Sequence, residues 1–169
     1  MIEDEKKINE GVNLLISILV CFPEFSAITF EPINDSLKIR VALKPKPTEE
    51  EFAQFEKRLK NSILAYHSLE KVRDTKLDIN IKKYDEVAFI NIIRDIKTLS
   101  RNEIVLISQL IDSSFKEKLV RDRNDALQEE EILIQEEVME NMLNMMKKNQ
   151  FSTRLIGIRE EGKVIVFNK

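Results

Sequence analysis

The chain has 169 residues, 43% hydrophobic and 34% charged. That is enough for one ordinary domain or two small ones, with a real core and heavily charged outer faces. A net charge of −3 and a pI near 5.5 argue against a dedicated nucleic-acid binder, which carries a basic domain. Only residues 35–101 run basic, with fifteen Lys/Arg against eleven acids. One cysteine, Cys21, excludes an intrachain disulfide. The acidic start Met1-Ile2-Glu3-Asp4-Glu5 lacks the positive charge of a signal peptide, so the cytoplasm is the expected location.

The first predicted helix runs from about Glu5 to Phe22. Ile8, Val12, Leu15, Leu19 and Phe22 fall on one side, and Leu14, Ile16, Ile18 and Val20 widen the apolar surface. Such a helix needs cover on several sides, from the core or from a second subunit. Its apolar run is broken by Asn13 and Ser17 and is too short to span a bilayer. Pro23 ends it, because proline disfavours helical geometry at the preceding residue.

Ile28 and Phe30 mark one strand. Leu37, Ile39, Val41 and Leu43 alternate with Lys38, Arg40, Ala42 and Lys44 in the next, with turn chemistry from Asn34-Asp35-Ser36. Thr48 and Glu51 have the spacing of a capping box. Behind them Phe52, Phe55, Leu59, Ile63 and Tyr66 repeat at helical intervals. Leu77, Ile79 and Ile81 alternate with Asp78, Asn80 and Lys82, which predicts a third strand.

From Tyr84 to Leu99 the residues Phe89, Ile92, Ile93, Ile96 and Leu99 fit a helical face, although Ala88, Ile90 and Ile92 also alternate as in a strand. The expectation is helix. Ser100 and Glu103 suggest a second capping box, followed by Ile104, Ile107, Ile111 and Phe115. A long helix is expected over Asp122 to Lys148, acidic early and closed by Lys147-Lys148, which suits the helix dipole. Leu155–Ile158 and Val164–Phe167 form a terminal hairpin across Glu160-Glu161-Gly162, read as a type I turn with a bulge. It is apolar on both faces and therefore expected to be covered on both.

These elements predict an α+β fold. Residues 1–83 form an α-β-β-α-β unit with an antiparallel or mixed three-stranded sheet. Residues 84–169 form a helical section with the long helix and the hairpin, and the two stretches could equally make one compact domain.

No constellation for catalysis emerges, and whether the protein is an enzyme stays open with the balance against it. Gly11, Gly157 and Gly162 are the only glycines and lie far apart, so no phosphate-cradling loop is encoded. His67, the sole histidine, reads as a helix-end residue rather than a general base. Cys21 reads as a small hydrophobe. Glu136 and Glu140, one turn apart, read as a solvated face rather than a cation site. No cofactor or metal is expected.

Two surfaces remain. Met139, Met142, Met145 and Met146 crowd one end of the long helix, and methionine adapts to varied partners. Lys38, Arg40 and Lys44 share one strand face with Lys46 close behind, a row that suits phosphates but lacks interleaved aromatics for base stacking. The leading expectation is a non-enzymatic interaction or regulatory module, a homodimer using the methionine surface. A weak nucleic-acid binder using the basic row is second, and an enzyme of unfamiliar type is third. The element order has some likeness to small RNA-binding α+β modules, without the GxxG loop of a KH domain.

Overall fold

The computed structural model describes residues 2–120, 129–148 and 151–168. Its elements are α1 (Ile2–Cys21), β1 (Ala27–Glu31), β2 (Ser36–Leu43), α2 (Glu49–Glu70), β3 (Leu77–Tyr84), β4 (Val87–Asp95), α3 (Arg101–Phe115), α4 (Glu129–Lys148), β5 (Leu155–Glu160) and β6 (Lys163–Asn168). The expected long helix is observed from Glu129, and Asp122–Gln128 lie outside the described residues. The fold is α+β, built on one six-stranded antiparallel sheet in the order β3-β4-β2-β1-β5-β6.

Residues 84–99 are not helical. Val87–Asp95 form the strand β4, paired with β2 on one side and β3 on the other. The helical repeat is misleading here because Ile90, Ile92 and Ile93 are β-branched and suit a pleated, buried surface. Ile90 and Ile92 point into the core, and Phe89, Asn91 and Ile93 take the opposite face. The terminal hairpin joins the same sheet beside β1, so the stretches 1–83 and 84–169 share six strands rather than three. Its turn is also tighter than expected. Glu160 pairs with Lys163, leaving Glu161 and Gly162 at φ 49 and 77, the positive-φ pair of a type I′ connection rather than a bulged loop.

The four helices of the described residues bury their apolar stripes in one core on one face of the sheet. α1 packs against β1, β5 and β6, and α4 lies along α1 with a lighter contact to α3. α2 and α3 pack on each other, with the Phe55 and Phe115 rings 5.0 Å apart. The many-sided apolar surface of α1 is thereby covered within the chain: Leu14, Leu15, Ile18 and Leu19 are all buried.

The Thr48–Glu51 capping box closes in both directions, each bond 3.1 Å, and Lys118 Nζ clamps the same Glu51 carboxylate at 2.7 Å. The Ser100–Glu103 box closes only one way. Ser100 Oγ accepts from the Glu103 N–H at 3.2 Å, while the Glu103 side chain turns inward to other partners.

Candidate functional site: the uncovered sheet face

The far face of the sheet has no helix against it among the described residues. Strand register lays its side chains in rows. One row reads Phe167, Ile156, Thr29, Lys38, Ile93, Asp78 from β6 to β3. The next reads Ile165, Ile158, Ala27, Arg40, Asn91, Asn80. Beyond these, Lys82 pairs with Phe89 and Tyr84 with Val87.

The two ends of this face differ in chemistry. At the β5–β6 end, Ile156 faces Phe167 and Ile158 faces Ile165 across the strands. Ile165 is 43% and Phe167 39% exposed. Within the chain the hairpin is thus covered on one face only. Leu155, Gly157, Val164 and Val166 turn toward the core, while Ile156 and Ile158 are half-buried and Ile165 and Phe167 open on the other face.

At the β2–β3–β4 end the face is basic and aromatic. Arg40 Nε donates to Asn91 Oδ1 at 3.1 Å, and Asn91 Nδ2 donates to Asn80 Oδ1 at 3.0 Å. The Arg40 guanidinium also lies over the Phe89 ring, 5.1 Å from its centre. Tyr84 meets Phe89 edge to face at 5.8 Å and is 57% exposed. Partial burial lowers the Lys38 pKa, and the charges of Arg40, Lys82 and Arg154 lower it further, against Glu31. Arg40, Lys82 and Arg154 thus lie close enough to act on this lysine. Arg154 is itself paired with Glu31.

The structure brings Lys38 and Arg40 together as the sequence suggests. Lys44 and Lys46 are exposed but lie past the end of β2, where the Lys44 N–H bonds to the Lys118 carbonyl. Lys82, Tyr84 and Phe89 complete the surface instead. Sequence reasoning missed the aromatics because it placed them on a helix. Their signal was the alternation Val87, Phe89, Asn91, Ile93, which complements Ala88, Ile90, Ile92.

The methionine surface separates into two kinds of position. Met139 and Met146 are buried in the core and present nothing to a partner, while Met142 and Met145 are half-buried. Glu136 and Glu140 approach Arg101 at 3.3 and 3.8 Å, so their charges are met by a guanidinium.

A second polar cluster lies inside the molecule. Glu103 accepts from Arg94 Nε at 2.5 Å and from Arg94 Nη2 at 2.8 Å, and its Oε1 is 2.5 Å from His67 Nε2. Arg94 also donates to the Lys76 carbonyl, Thr98 Oγ1 and the Asp95 carboxylate. A carboxylate on one imidazole nitrogen has the form of a catalytic dyad. Here the other nitrogen, Nδ1, is buried and meets no hydrogen-bonding group among the described residues. Clefts of about 560 and 310 Å³ lie nearby, lined in part by Lys147 and Asp95, but neither His67 nor Glu103 reaches their walls. The cluster is enclosed by protein and ties β4 to α2 and α3.

Burial raises the Cys21 thiol pKa from 9.0 to about 11; Glu136 adds to the rise and Arg101 opposes it. That suppresses the nucleophilic thiolate. No helix among the described residues is long and apolar enough to cross a membrane. Comparison with protein families, with curated proteins and with solved structures finds no match to this chain.

Proposed function

We propose that the protein is an interaction module that self-associates through the β5–β6 half of its uncovered sheet face. The observation that carries this reading is the pair of cross-strand contacts Ile156–Phe167 and Ile158–Ile165, left open on an edge hairpin. Exposed apolar side chains on an edge strand invite pairing with another chain, and natural proteins normally blunt or cover them.

A second copy suits this patch because a two-fold interface sets the same surface against itself. Apolar side chains tolerate that arrangement. The hairpin tip carries both signs of charge, Glu160 and Glu161 against Lys163, so no single-sign field opposes it. The basic half of the face would repel its own copy. That favours the hairpin half of the face; on α4, Met139 and Met146 are buried and Met142 and Met145 half-buried.

Sedimentation velocity tests the reading. The wild type is expected to dimerise, and Ile165→Glu/Phe167→Glu to sediment as a folded monomer with an unchanged circular dichroism spectrum. A wild type that remains monomeric at its highest soluble concentration rejects the proposal. So does a double variant that dimerises as well as the wild type.

A further inference from the structure

We infer that the β2–β3–β4 half of the same face is a binding site for single-stranded nucleic acid. The strand's phosphates would lie along Lys38 and Lys82, and its bases would stack on Tyr84 and on the Arg40–Phe89 pair. This inference does not depend on the self-association reading, since it uses the opposite end of the sheet.

Charge complementarity names the occupant. On a protein of net charge −3, this half of the face gathers Lys38, Arg40 and Lys82 against Asp78 and Asp95, and Asp95 is already paired with Arg94. The cations are not consumed by one another's partners. No ion pair involving Lys38, Arg40 or Lys82 occurs among the described residues, whereas Arg154 at the margin is matched by Glu31. A polyanion would relieve the mutual repulsion of these cations, which adds to burial in lowering the Lys38 pKa.

Phosphates alone would not require aromatic groups. Tyr84 projects from the end of β3 with more than half its surface open, next to Phe89. Arg40 is pinned by Asn91 and by the Phe89 ring, so its guanidinium plane is held in place before any ligand arrives. Both aromatic rings and fixed guanidinium planes are platforms for unpaired bases. Asn80 spends its carbonyl on Asn91 and is exposed, which leaves its amide hydrogens for a base edge or a sugar hydroxyl. Bases paired within a duplex could not reach these platforms, so the site selects a single strand.

The test is fluorescence anisotropy with a labelled oligouridine at low and moderate salt, beside a duplex of matched length. The oligouridine is expected to bind with a salt dependence that grows with the number of phosphates met, about 0.7 log units per phosphate for single strands. Lys38→Glu/Lys82→Glu should weaken binding at least tenfold and flatten that slope. Tyr84→Ala should weaken it about fivefold or more while leaving the slope unchanged, because it removes a stacking surface and no charge. All three positions are partly or fully exposed, and thermal melting would verify that the variants fold.

No oligouridine binding at low salt would overturn the inference. A duplex bound as tightly as the single strand would also overturn it, as would a Tyr84→Ala variant indistinguishable from wild type. The Ile165→Glu/Phe167→Glu monomer should retain most of its affinity, which separates failure of this site from failure of the dimer.

Discussion

Glu103 Oε2 accepts a hydrogen bond from Arg94 Nε at 2.5 Å, and both side chains are wholly buried. A buried guanidinium must be met by a full set of acceptors, or its charge cannot be carried inside the protein. Arg94 has that set in Glu103, Asp95, Thr98 and the Lys76 carbonyl. Burial works against the charge, but Glu103 and Asp95 outweigh it and raise the Arg94 pKa above its ordinary value. The pair therefore pins the N-terminus of α3 to β4, one strand in from the sheet edge.

Breaking one side of the pair should cost more than removing both. Arg94→Met would leave the buried Glu103 carboxyl with His67 as its one remaining side-chain partner among the described residues, at an expected cost of about 3–5 kcal/mol. Arg94→Met/Glu103→Leu should recover a substantial part of that loss. Urea titration of the three proteins checks the ordering. A single variant within ~1 kcal/mol of wild type would show that the pair contributes little.

Acid should loosen the same region through Asp95. Burial raises its carboxyl pKa, but bonds from Thr98 and the Lys76 N–H, with the Arg94 charge, hold it below the ordinary 3.8. A carboxyl depressed in the folded state stabilises the protein above 3.8 and loses that contribution as pH falls through its folded value. Asp95→Asn should therefore be destabilised at neutral pH and converge on the wild type as the solution is acidified below 3.8. A stability gap that stayed constant through that range would contradict the assignment.

The Cys21 thiol should be slow. With burial raising its pKa from 9.0 to about 11, its thiolate fraction near neutrality falls roughly a hundredfold against the unfolded chain. Labelling with a thiol reagent in native buffer and in guanidinium measures the ratio. Equal rates in the two would mean that burial does not protect the group.

Much of the scaffold was legible in local patterns. The strict alternation of Leu37–Leu43 gave β2, and the Thr48–Glu51 box located the start of α2. These signals work because each is set within a few residues of chain. What failed depended on distant partners. Residues 87–95 repeat like a helix but are held as a strand by β2 and β3 on either side. Glu103 has the spacing of a capping residue, but an arginine nine positions upstream diverts it. The basic row was readable from Lys38 and Arg40, while its aromatic half depends on the register that sets Lys82 against Phe89. The exposure of Ile165 and Phe167 could not be read at all. It follows from which sheet face the helices choose.

Gly157 provides a control that separates the fold from its surface. It lies on the core face of β5, where an added Cβ would sit 3.0 Å from Leu19 Cδ1 and 3.4 Å from Leu15 Cβ on α1. Gly157→Val places a branched side chain in that gap and must push α1 off the sheet or force Leu19 from its rotamer. Overpacking of this kind costs about 1–3 kcal/mol. On the neighbouring face of the same hairpin, Phe167→Glu introduces a charge at a position already open to solvent and should change monomer stability by less than ~0.5 kcal/mol. Denaturation midpoints at a concentration where both variants are monomeric should therefore fall for Gly157→Val and hold for Phe167→Glu. If Phe167→Glu destabilises the monomer as much as Gly157→Val does, Phe167 belongs to the core, and the loss of self-association in its variants could no longer be assigned to the interface.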